Sequence, residues 1–524
     1  MVSSLLEKNA IYIILVFAFI LRFTGLNFGL PDLYGADENF IMDPVKQMLT
    51  TGDMNPHWFV FPGSFLMYLL AVLFSVLSGI CFVYYFLTGK VHNLSEFNHL
   101  VESHVALNTV LPYYSGRLMM ALFAVISVFL VYLIGRKIFN HTVGILAAFC
   151  LSIAPLYVNA SRLIRPDITE SMLILFSFYF LLLFFEENKK IKYLIASSLS
   201  AGFAIATKYP AGVIVFPILF YCFMKDFSAS RPSTFFKALL CIAAGFLVFA
   251  PFFLLDYRAA VKDILWEATR NDRNWPERFP GILNDIWYFK ASLINGIGTR
   301  FFTIFAALGL LILLIKRTFQ GTYFLFFPLV YYIVMVDLGR LRFDRWLIPV
   351  LPFEAILFGL GFFTFYKYFW QKGFILKNVV RLLLILFVCA SVLVLKKDIN
   401  EGIKLSRPDS RTIAKDWVEQ NIPSGSKIAF ELKTPPLRQD HKNNFVLMDL
   451  GWGWIVDKPL SYYESQGVRY IIINGDIKYM IYNNPHGNNL KINRYKELKK
   501  KAQLMKTFKY EANPGPVIEV YRLK

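Results

Sequence analysis

The sequence predicts a multi-pass α-helical membrane protein with a small α/β domain at its C-terminal end. Of the 524 residues, 56% are hydrophobic and only 17% are charged, whereas soluble globular chains carry about a quarter charged residues. Apolar runs recur with few internal charges, and a bilayer-spanning helix needs about 20 such residues. From residue 398 onward the pattern changes to short helices and strands. We therefore expect a transmembrane module over residues 1–397 and a separate domain over residues 398–524.

The length rule predicts about eleven membrane crossings. We interpret the first as a retained signal anchor, because no small-residue cleavage site follows it. The predicted spans are Ala10–Phe28, Gly116–Ile134, Val143–Val158, Ile168–Phe185, Tyr193–Thr207, Ala211–Met224, Ala238–Leu255, Ile297–Ile315, Tyr323–Val336, Trp346–Phe365 and Val379–Leu395.

Basic residues predict the orientation of these spans. They cluster in alternate loops, as cytoplasmic loops do: Arg136, Lys137, Lys189, Lys190, Lys192, Lys225, Lys237, Lys316, Arg317, Lys367, Lys372 and Lys377. The N-terminus is then cytoplasmic, residues 398–524 are extracytoplasmic, and the expected location is the plasma (inner) membrane. These loops also account for the net charge of +19. Because no groove-reading or RNA-binding motif accompanies that charge, we expect no nucleic-acid partner.

One apolar segment, Pro62–Leu87, does not fit the alternation. If it crossed the membrane, every later loop would change sides and the basic clusters would lie outside. We therefore predict a helix that lies in, or dips into, the outer interface. Its Tyr68, Tyr84 and Tyr85 suit an interfacial position.

The C-terminal residues predict a compact α/β domain. The run DSRTIAKDWVEQNIPSGSKIAFE indicates an amphipathic helix, a Pro-Gly turn and a strand. GVRYIIING and GPVIEVYRL indicate further strands, and RYKELKKKAQLM indicates a charged helix. A domain of this size can bury its own core.

Ionisable residues at the predicted outer ends of the spans are the candidate site. Asp37 and Glu38 follow the first span, Asp167 lies at a turn near Arg165, and Lys208 precedes Tyr209 at the tip of a short helical pair. Charges at membrane depth are costly unless they are paired, so they indicate function. Each also has a structural alternative: a solvated acidic loop, an Arg–Asp pair that caps a helix, and a lysine that snorkels to the interface.

The predicted outer side also carries many cations, although the positive-inside bias disfavours them there. An anionic ligand would explain them, because the guanidinium fork matches phosphate. They are Arg258, Lys262, Arg270, Arg273, Arg278, Arg340, Arg342 and Arg345.

Carboxylates that face cations at a membrane surface suit the transfer of a group from a lipid phosphate to a hydroxyl. The carboxylate takes the hydroxyl proton, and the cations stabilise the negative charge that develops on the phosphate. All five cysteines lie in apolar segments, and the histidines show no HExxH-type spacing. We therefore expect neither a disulfide framework nor a Cys- or His-based metal site.

Several motifs in order carry a family resemblance: GADENF, YSGRLMMALFAVISVFLVYLIGRKIF, SIAPLYVNASRLIRPDITESMLILF, AIATKYPAGVIVFPIL and RWLIPVLPF. DSRTIAKDWVEQNIPSGSKIA and GPVIEVYRL follow in the outer domain. Over nearly its whole length the chain resembles the GT-C superfamily, specifically the bacterial relatives of protein O-mannosyltransferases and of the lipid A aminoarabinose transferase. The likeness also implies interfacial helices in a first outer loop over residues 29–115. The insertion Lys90–Pro112 is longer than in compact members.

The resemblance implies an inverting glycosyltransferase that moves a monosaccharide from a polyprenyl-phosphate donor to a lipid, glycan or protein acceptor on the outer face. It implies Asp37 as the catalytic base, with Glu38 beside it and Asp167 as the second acidic residue. Some relatives hold a divalent metal near these carboxylates and others do not, so a metal at Asp37 and Asp167 stays open. The implied contacts to the donor phosphate are Lys208, Tyr209, Arg165, Arg342 and Arg345.

Two other classes of protein remain as alternatives. A transporter or flippase of lipid-linked sugars would show inverted repeats and charges near the bilayer midplane, whereas the charges here cluster at one predicted face. A non-catalytic scaffold would not need the Asp37–Glu38 pair.

Overall fold

The computed structural model describes residues 2–35, 37–61, 63–186, 190–229, 233–273, 281–316, 319–338, 343–371, 374–437, 444–451, 453–483, 488–509 and 513–523. The chain forms two compact units. Residues 1–26 and 36–400 form the first, called here the helical unit. Residues 27–35 and 401–524 form the second, called here the sheet unit.

Apolar α-helices build the helical unit. They are α1 Val2–Phe23, α2 Asn39–Thr51, α3 Ser64–Leu87, α4 Leu94–Ser103, α5 Leu111–Ile138, α6 His141–Ser152, α7 Pro155–Ala160, α8 Pro166–Glu186, α9 Ile191–Thr207, α10 Val215–Ala229, α11 Ser233–Phe249, α12 Phe252–Leu255, α13 Tyr257–Arg273, α14 Gly281–Tyr288, α15 Asn295–Ile297, α16 Arg300–Lys316, α17 Phe319–Ile333, α18 Leu351–Trp370 and α19 Phe374–Leu405. Short 3-10 helices cover Tyr209–Ile214 and Asp344–Val350, and π-helices cover Ala106–Val110, Phe289–Ile294 and Val334–Leu338.

Within the described residues, five helices are long and apolar enough to cross a membrane: Ser64–Leu87, Ala106–Ile138, Pro166–Phe185, Asp344–Trp370 and Lys377–Asn421. A bent pair, Asp285–Ile297 and Arg300–Lys316, would add a sixth span. Six shorter apolar helices accompany them. Every span predicted from the sequence falls on one of these helices, and the number of crossings stays a prediction.

Close helix packing in the helical unit depends on glycine. Gly309 of α16 and Gly361 of α18 face each other's helices, and a Cβ on either would collide with a backbone carbonyl of the other helix. Small residues at such crossings let two backbones approach closely. Leu351 and Phe353 at the start of α18 are fully buried in the same core.

The buried residues of helix α3 all lie in its first half. The Gly63 amide donates to the Thr207 carbonyl at the end of α9, and Leu70 lies against Gly116 near the start of α5. Phe82 contacts Phe97 of α4, with ring centroids 5.5 Å apart, and the π-helix Ala106–Val110 connects α4 to α5. The contacts of Gly63 and Leu70 are at the end of α9 and near the start of α5.

A five-stranded sheet organises the sheet unit. Its strands are β1 Lys427–Phe430, β2 Val446–Asp449, β3 Tyr470–Asn474, β4 Ala502–Phe508 and β5 Ile518–Leu523, in the order β2-β1-β3-β5-β4. β1 pairs in parallel with β2 and β3, whereas β5 is antiparallel to β3 and β4. Helices α20 Ser410–Asn421, α21 Leu460–Ser465, α22 Gly475–Asn483 and α23 Asn489–Lys501 accompany the sheet.

The central strand β3 is buried at every position. Ile471 and Ile473 belong to a core on one face of the sheet, and Ile472 belongs to a core on the other face. An unbroken apolar run is the pattern of a strand covered on both sides. The sequence prediction of strands at GVRYIIING and GPVIEVYRL agrees with β3 and β5.

One predicted element of this unit is wrong at its end. The charged helix predicted from RYKELKKKAQLM ends at Lys501, and Ala502–Met505 belong to strand β4. The residues Ala502–Phe508 pair with β5 along their length. Cross-strand pairing therefore overrides the helix preference of Ala502, Gln503, Leu504 and Met505, which are all good helix formers.

Candidate active site

Asp37 lies in the loop before α2, in a left-handed backbone conformation with φ of 66°. Asp and Asn adopt this conformation more readily than other non-glycine residues. Its Oδ2 accepts a hydrogen bond from Arg345 Nη1 at 2.5 Å and lies 3.7 Å from Arg165 Nη2. The side chain is 36% exposed. The described partners of Asp37 therefore hold it through Oδ2, and its side chain is partly exposed.

Glu38 occupies the opposite environment, since its side chain is only 1% exposed. Arg117 of α5 donates to both carboxylate oxygens, from Nε at 2.8 Å and from Nη2 at 2.6 Å. The Ile164 amide also donates to Oε1, at 2.9 Å. A buried bidentate pair of this kind is strong and geometrically specific. Glu38 thus connects the start of α2 to α5 and to the loop before α8.

Asp167 lies in the first turn of α8, where the helix dipole favours a negative charge. It accepts a hydrogen bond from Lys208 Nζ at 2.8 Å. Lys208 caps the end of α9 in an extended conformation, because Tyr209 begins a 3-10 helix. Asp167 and Lys208 are both nearly buried, so the pair is shielded from water.

Glu170 is a fourth carboxylate of the site that the sequence analysis missed. It lies one turn after Asp167 on the same face of α8, 3.5 Å from Lys208 Nζ. The Tyr331 hydroxyl of α17 donates to its Oε1 at 3.0 Å. The sequence signal that could have identified Glu170 is its three-residue spacing from Asp167, because residues with this spacing are neighbours on a helix surface.

Two arginines complete the described part of the site. Arg345 lies in the 3-10 helix before α18, over the Phe343 ring at 5.2 Å. Arg165 precedes α8, and its burial, together with the nearby Arg345, lowers its pKa below the usual value. Both guanidinium groups also act electrostatically on Asp167. The structure therefore brings Asp37, Asp167, Lys208, Arg165 and Arg345 together.

Other sequence candidates lie elsewhere or outside the described residues. The Tyr209 hydroxyl donates to the Phe59 carbonyl at 3.0 Å, which directs it to the loop between α2 and α3. Arg162, which lies in the same turn as Arg165, is buried and donates to the Leu21 carbonyl at 3.0 Å. Arg258 is exposed and contacts the Tyr257 hydroxyl. The described residues do not include Arg278, Arg340 and Arg342, and the structure does not describe the side chains of Arg270 and Arg273.

This set of side chains does not suit a divalent metal ion. Over the described ranges, no three His, Cys, Asp or Glu side chains form a group that would hold one. Asp37 and Asp167 each bond a cationic side chain already, and a metal ion between them would meet Arg345 and Lys208 at short range. The arrangement instead offers an anion site: cations held by carboxylates that a phosphate group can replace.

Fold and site together define a polytopic helical membrane protein of the GT-C fold class. A family model described as dolichyl-phosphate-mannose-protein mannosyltransferase matches residues 105–254, which include Asp167 and Lys208. The archaeal oligosaccharyltransferase AglB from Archaeoglobus fulgidus, in complex with an inhibitory peptide and a dolichol-phosphate, is similar with a TM-score of 0.54 and 13% identity. That likeness covers 90% of this chain and 70% of AglB.

ArnT from Cupriavidus metallidurans is similar over its whole length. Its apo structure gives a TM-score of 0.53 at 14% identity and covers 98% of both chains. Its structure bound to undecaprenyl phosphate gives 0.50 at 14% identity and covers 97% of both. No protein of curated function matches this chain in sequence. At these identities the likeness shows the fold, and the resemblance to the GT-C superfamily is confirmed.

Proposed function

We propose that this protein is a glycosyltransferase that takes a monosaccharide from a polyprenyl-phosphate donor on the outer face of the membrane. The observation that carries the proposal is Asp37, a partly exposed carboxylate whose Oδ2 lies beside Arg345 and Arg165. The fold supports it, because structures of the same fold bind undecaprenyl phosphate and dolichol-phosphate. The acceptor is a hydroxyl of a lipid, a glycan or a protein.

In this proposal the donor phosphate replaces part of the present pairing. Its oxygens compete with Asp37 for Arg345 and Arg165, because guanidinium binds phosphate and carboxylate in the same bidentate way. Lys208 has three ammonium donors. Two of them face Asp167 and Glu170, so the third remains for the phosphate. Donor binding therefore releases Asp37 from its strongest partner.

The chemical step is then a single displacement. The acceptor hydroxyl attacks the anomeric carbon and gives its proton to Asp37, which acts as general base. The bond between that carbon and the phosphate oxygen breaks, and the electron pair leaves with polyprenyl phosphate. Arg345, Arg165 and Lys208 stabilise the charge on the departing phosphate. Attack from the face opposite the leaving group inverts the anomeric centre.

Asp37→Asn provides the direct test. Asn tolerates the left-handed conformation as well as Asp does, so this variant removes the charge with little effect on the backbone. We expect no detectable transfer from an undecaprenyl-phosphate sugar to acceptors extracted from the native membrane. Asp53→Asn, which removes an exposed carboxylate of the first outer loop, is the matched control and should keep activity. Near-normal turnover of Asp37→Asn would eliminate Asp37 as the base.

A further inference from the structure

Glu170 is a buried charge of the site with no part in the proposed displacement. Its side chain has no measurable exposure, and its described partners are Tyr331 and Lys208. Asp37, the proposed base, is not among them. Glu170 therefore acts through Lys208, and it is a positioning residue rather than a catalytic one.

The charges of the described site balance when Glu170 is counted. Three carboxylates, Asp37, Asp167 and Glu170, face three cations, Arg165, Arg345 and Lys208. Glu38 and Arg117 form a separate pair. Without Glu170 the site would carry one net positive charge in an environment of low effective dielectric, where charge interactions are strong.

The reaction makes this balance consequential, because the product is more negative than the donor. The donor, a sugar joined to polyprenyl phosphate, is a phosphodiester and carries one negative charge. The released polyprenyl phosphate is a phosphomonoester, which carries between about 1.5 and 2 negative charges at neutral pH. A site with surplus positive charge would therefore hold the product more tightly than the donor. Product release limits the rate of many enzymes.

We propose that Glu170 is a counter-charge that weakens the binding of the departing polyprenyl phosphate to Lys208 and so permits product release. This inference rests on the proposed function. The Tyr331 hydroxyl donates to the Glu170 carboxylate, and such a hydrogen bond favours its ionised form. Lys208, shared between Asp167 and Glu170, transmits the effect to the phosphate.

Equilibrium binding of undecaprenyl phosphate to the purified full-length chain in nanodiscs is the test. Glu170→Gln keeps the shape and the acceptor for Tyr331 but removes the charge. We expect it to bind on the order of tenfold more tightly than the wild type, because the negative charge beside Lys208 that repels the phosphate is lost. A purely structural role would produce the opposite sign, weaker binding. Asp344→Asn, an exposed neutralisation beside Arg345, should change the affinity far less.

Kinetics give a second readout with the same sign. Glu170→Gln should lower the donor KM and kcat together and strengthen inhibition by added undecaprenyl phosphate. Tyr331→Phe keeps the Glu170 carboxylate but removes the hydroxyl that donates a hydrogen bond to it. This variant should lower the KM for the sugar donor and kcat as well, by a smaller factor. If the wild type binds no undecaprenyl phosphate, the proposed function is wrong and this inference falls with it. If the wild type binds it and Glu170→Gln binds equally or more weakly, only the counter-charge is wrong.

Discussion

Asp37 and Glu38 are neighbours in sequence but differ completely in environment. Glu38 uses both oxygens in buried bonds to Arg117 and the Ile164 amide, whereas the Asp37 side chain is 36% exposed and bonds Arg345 through Oδ2. The buried residue fixes the backbone from which the partly exposed one projects. An adjacent acidic pair can therefore divide into an anchor and a reactive group.

This division predicts opposite phenotypes for two isosteric variants. Glu38→Gln leaves the buried Arg117 without its counter-ion, and breaking such a pair costs about 3–5 kcal/mol. We expect a marked loss of thermal stability in detergent, whereas Asp37→Asn should unfold near the wild-type temperature. Thermal unfolding followed by intrinsic fluorescence measures both. Equal stability of the two variants would contradict the anchoring role of Glu38.

Arg345 gives a second prediction at this scale. Its fork reaches Asp37 while its plane lies over the Phe343 ring. Arg345→Ala should raise the donor KM and lower kcat, as for a contact that strengthens toward the transition state. Arg345→Lys should restore only part of each, because lysine keeps the charge and loses the fork. Arg258→Ala, at an exposed arginine of α13, is the control. A larger donor effect at Arg258 than at Arg345 would relocate the phosphate site.

At the scale of the elements, the sequence predicts helices well and side-chain partners poorly. Apolar runs predict the positions of apolar helices, but the predicted span Val143–Val158 is two helices, since Pro155 starts α7 after a break. Glu38 and Arg117 are 79 residues apart, and Arg345 and Asp37 are 308 apart. No local sequence pattern predicts which charged side chains, distant in the sequence, form ion pairs. Glu170 was missed because its partner Tyr331 comes from α17.

Glu431, at the end of β1, gives a pH prediction for the sheet unit. Burial raises the pKa of this carboxyl to about 7, although the Ile455 and Asn474 amides donate to its oxygens. The folded unit therefore keeps a proton that the unfolded chain releases near the ordinary value of about 4.3. Its contribution to stability is complete below that value and is lost as the pH rises through about 7.

The expected loss is about 3 kcal/mol between pH 4.5 and 7. Hydrogen exchange of peptides that cover β3, measured on the full-length chain, should report it as faster exchange at the higher pH after correction for the intrinsic rate. Glu431→Gln should be less stable at pH 5, because its amide nitrogen cannot accept from a backbone amide. It should also show a flat pH profile. A Gln variant that keeps the wild-type slope would assign the pH dependence to another group.

At the scale of the whole molecule, the orientation in the membrane depends on α3. Its length and composition suit a crossing, whereas the basic loops favour an interfacial helix. Gly63, just before α3, and Leu70 of α3 contact the end of α9 and the start of α5, and Phe82 contacts α4, which precedes α5 in the chain. We expect α4 to lie on the same side as the start of α5, which favours the interfacial interpretation. A helix that crossed would carry Phe82 to the opposite side. In the interfacial position, the exposed apolar second half of α3 faces lipid.

Single cysteines in a background that lacks the five native ones test this orientation. Ser95→Cys in α4 and Gln503→Cys in β4 are exposed positions, and both should react with an impermeant maleimide on intact cells. Lys192→Cys, at the start of α9 and exposed, should react only after permeabilisation, because the basic loop before α9 is predicted to be cytoplasmic. If position 95 were protected while position 503 reacted, α3 would cross the membrane, and the number of crossings between positions 95 and 503 would be odd rather than the predicted ten. If positions 95 and 503 were both protected, the orientation of the whole molecule would be the reverse of the predicted one. Asp37 would then lie on the cytoplasmic side, and the donor would have to bind there.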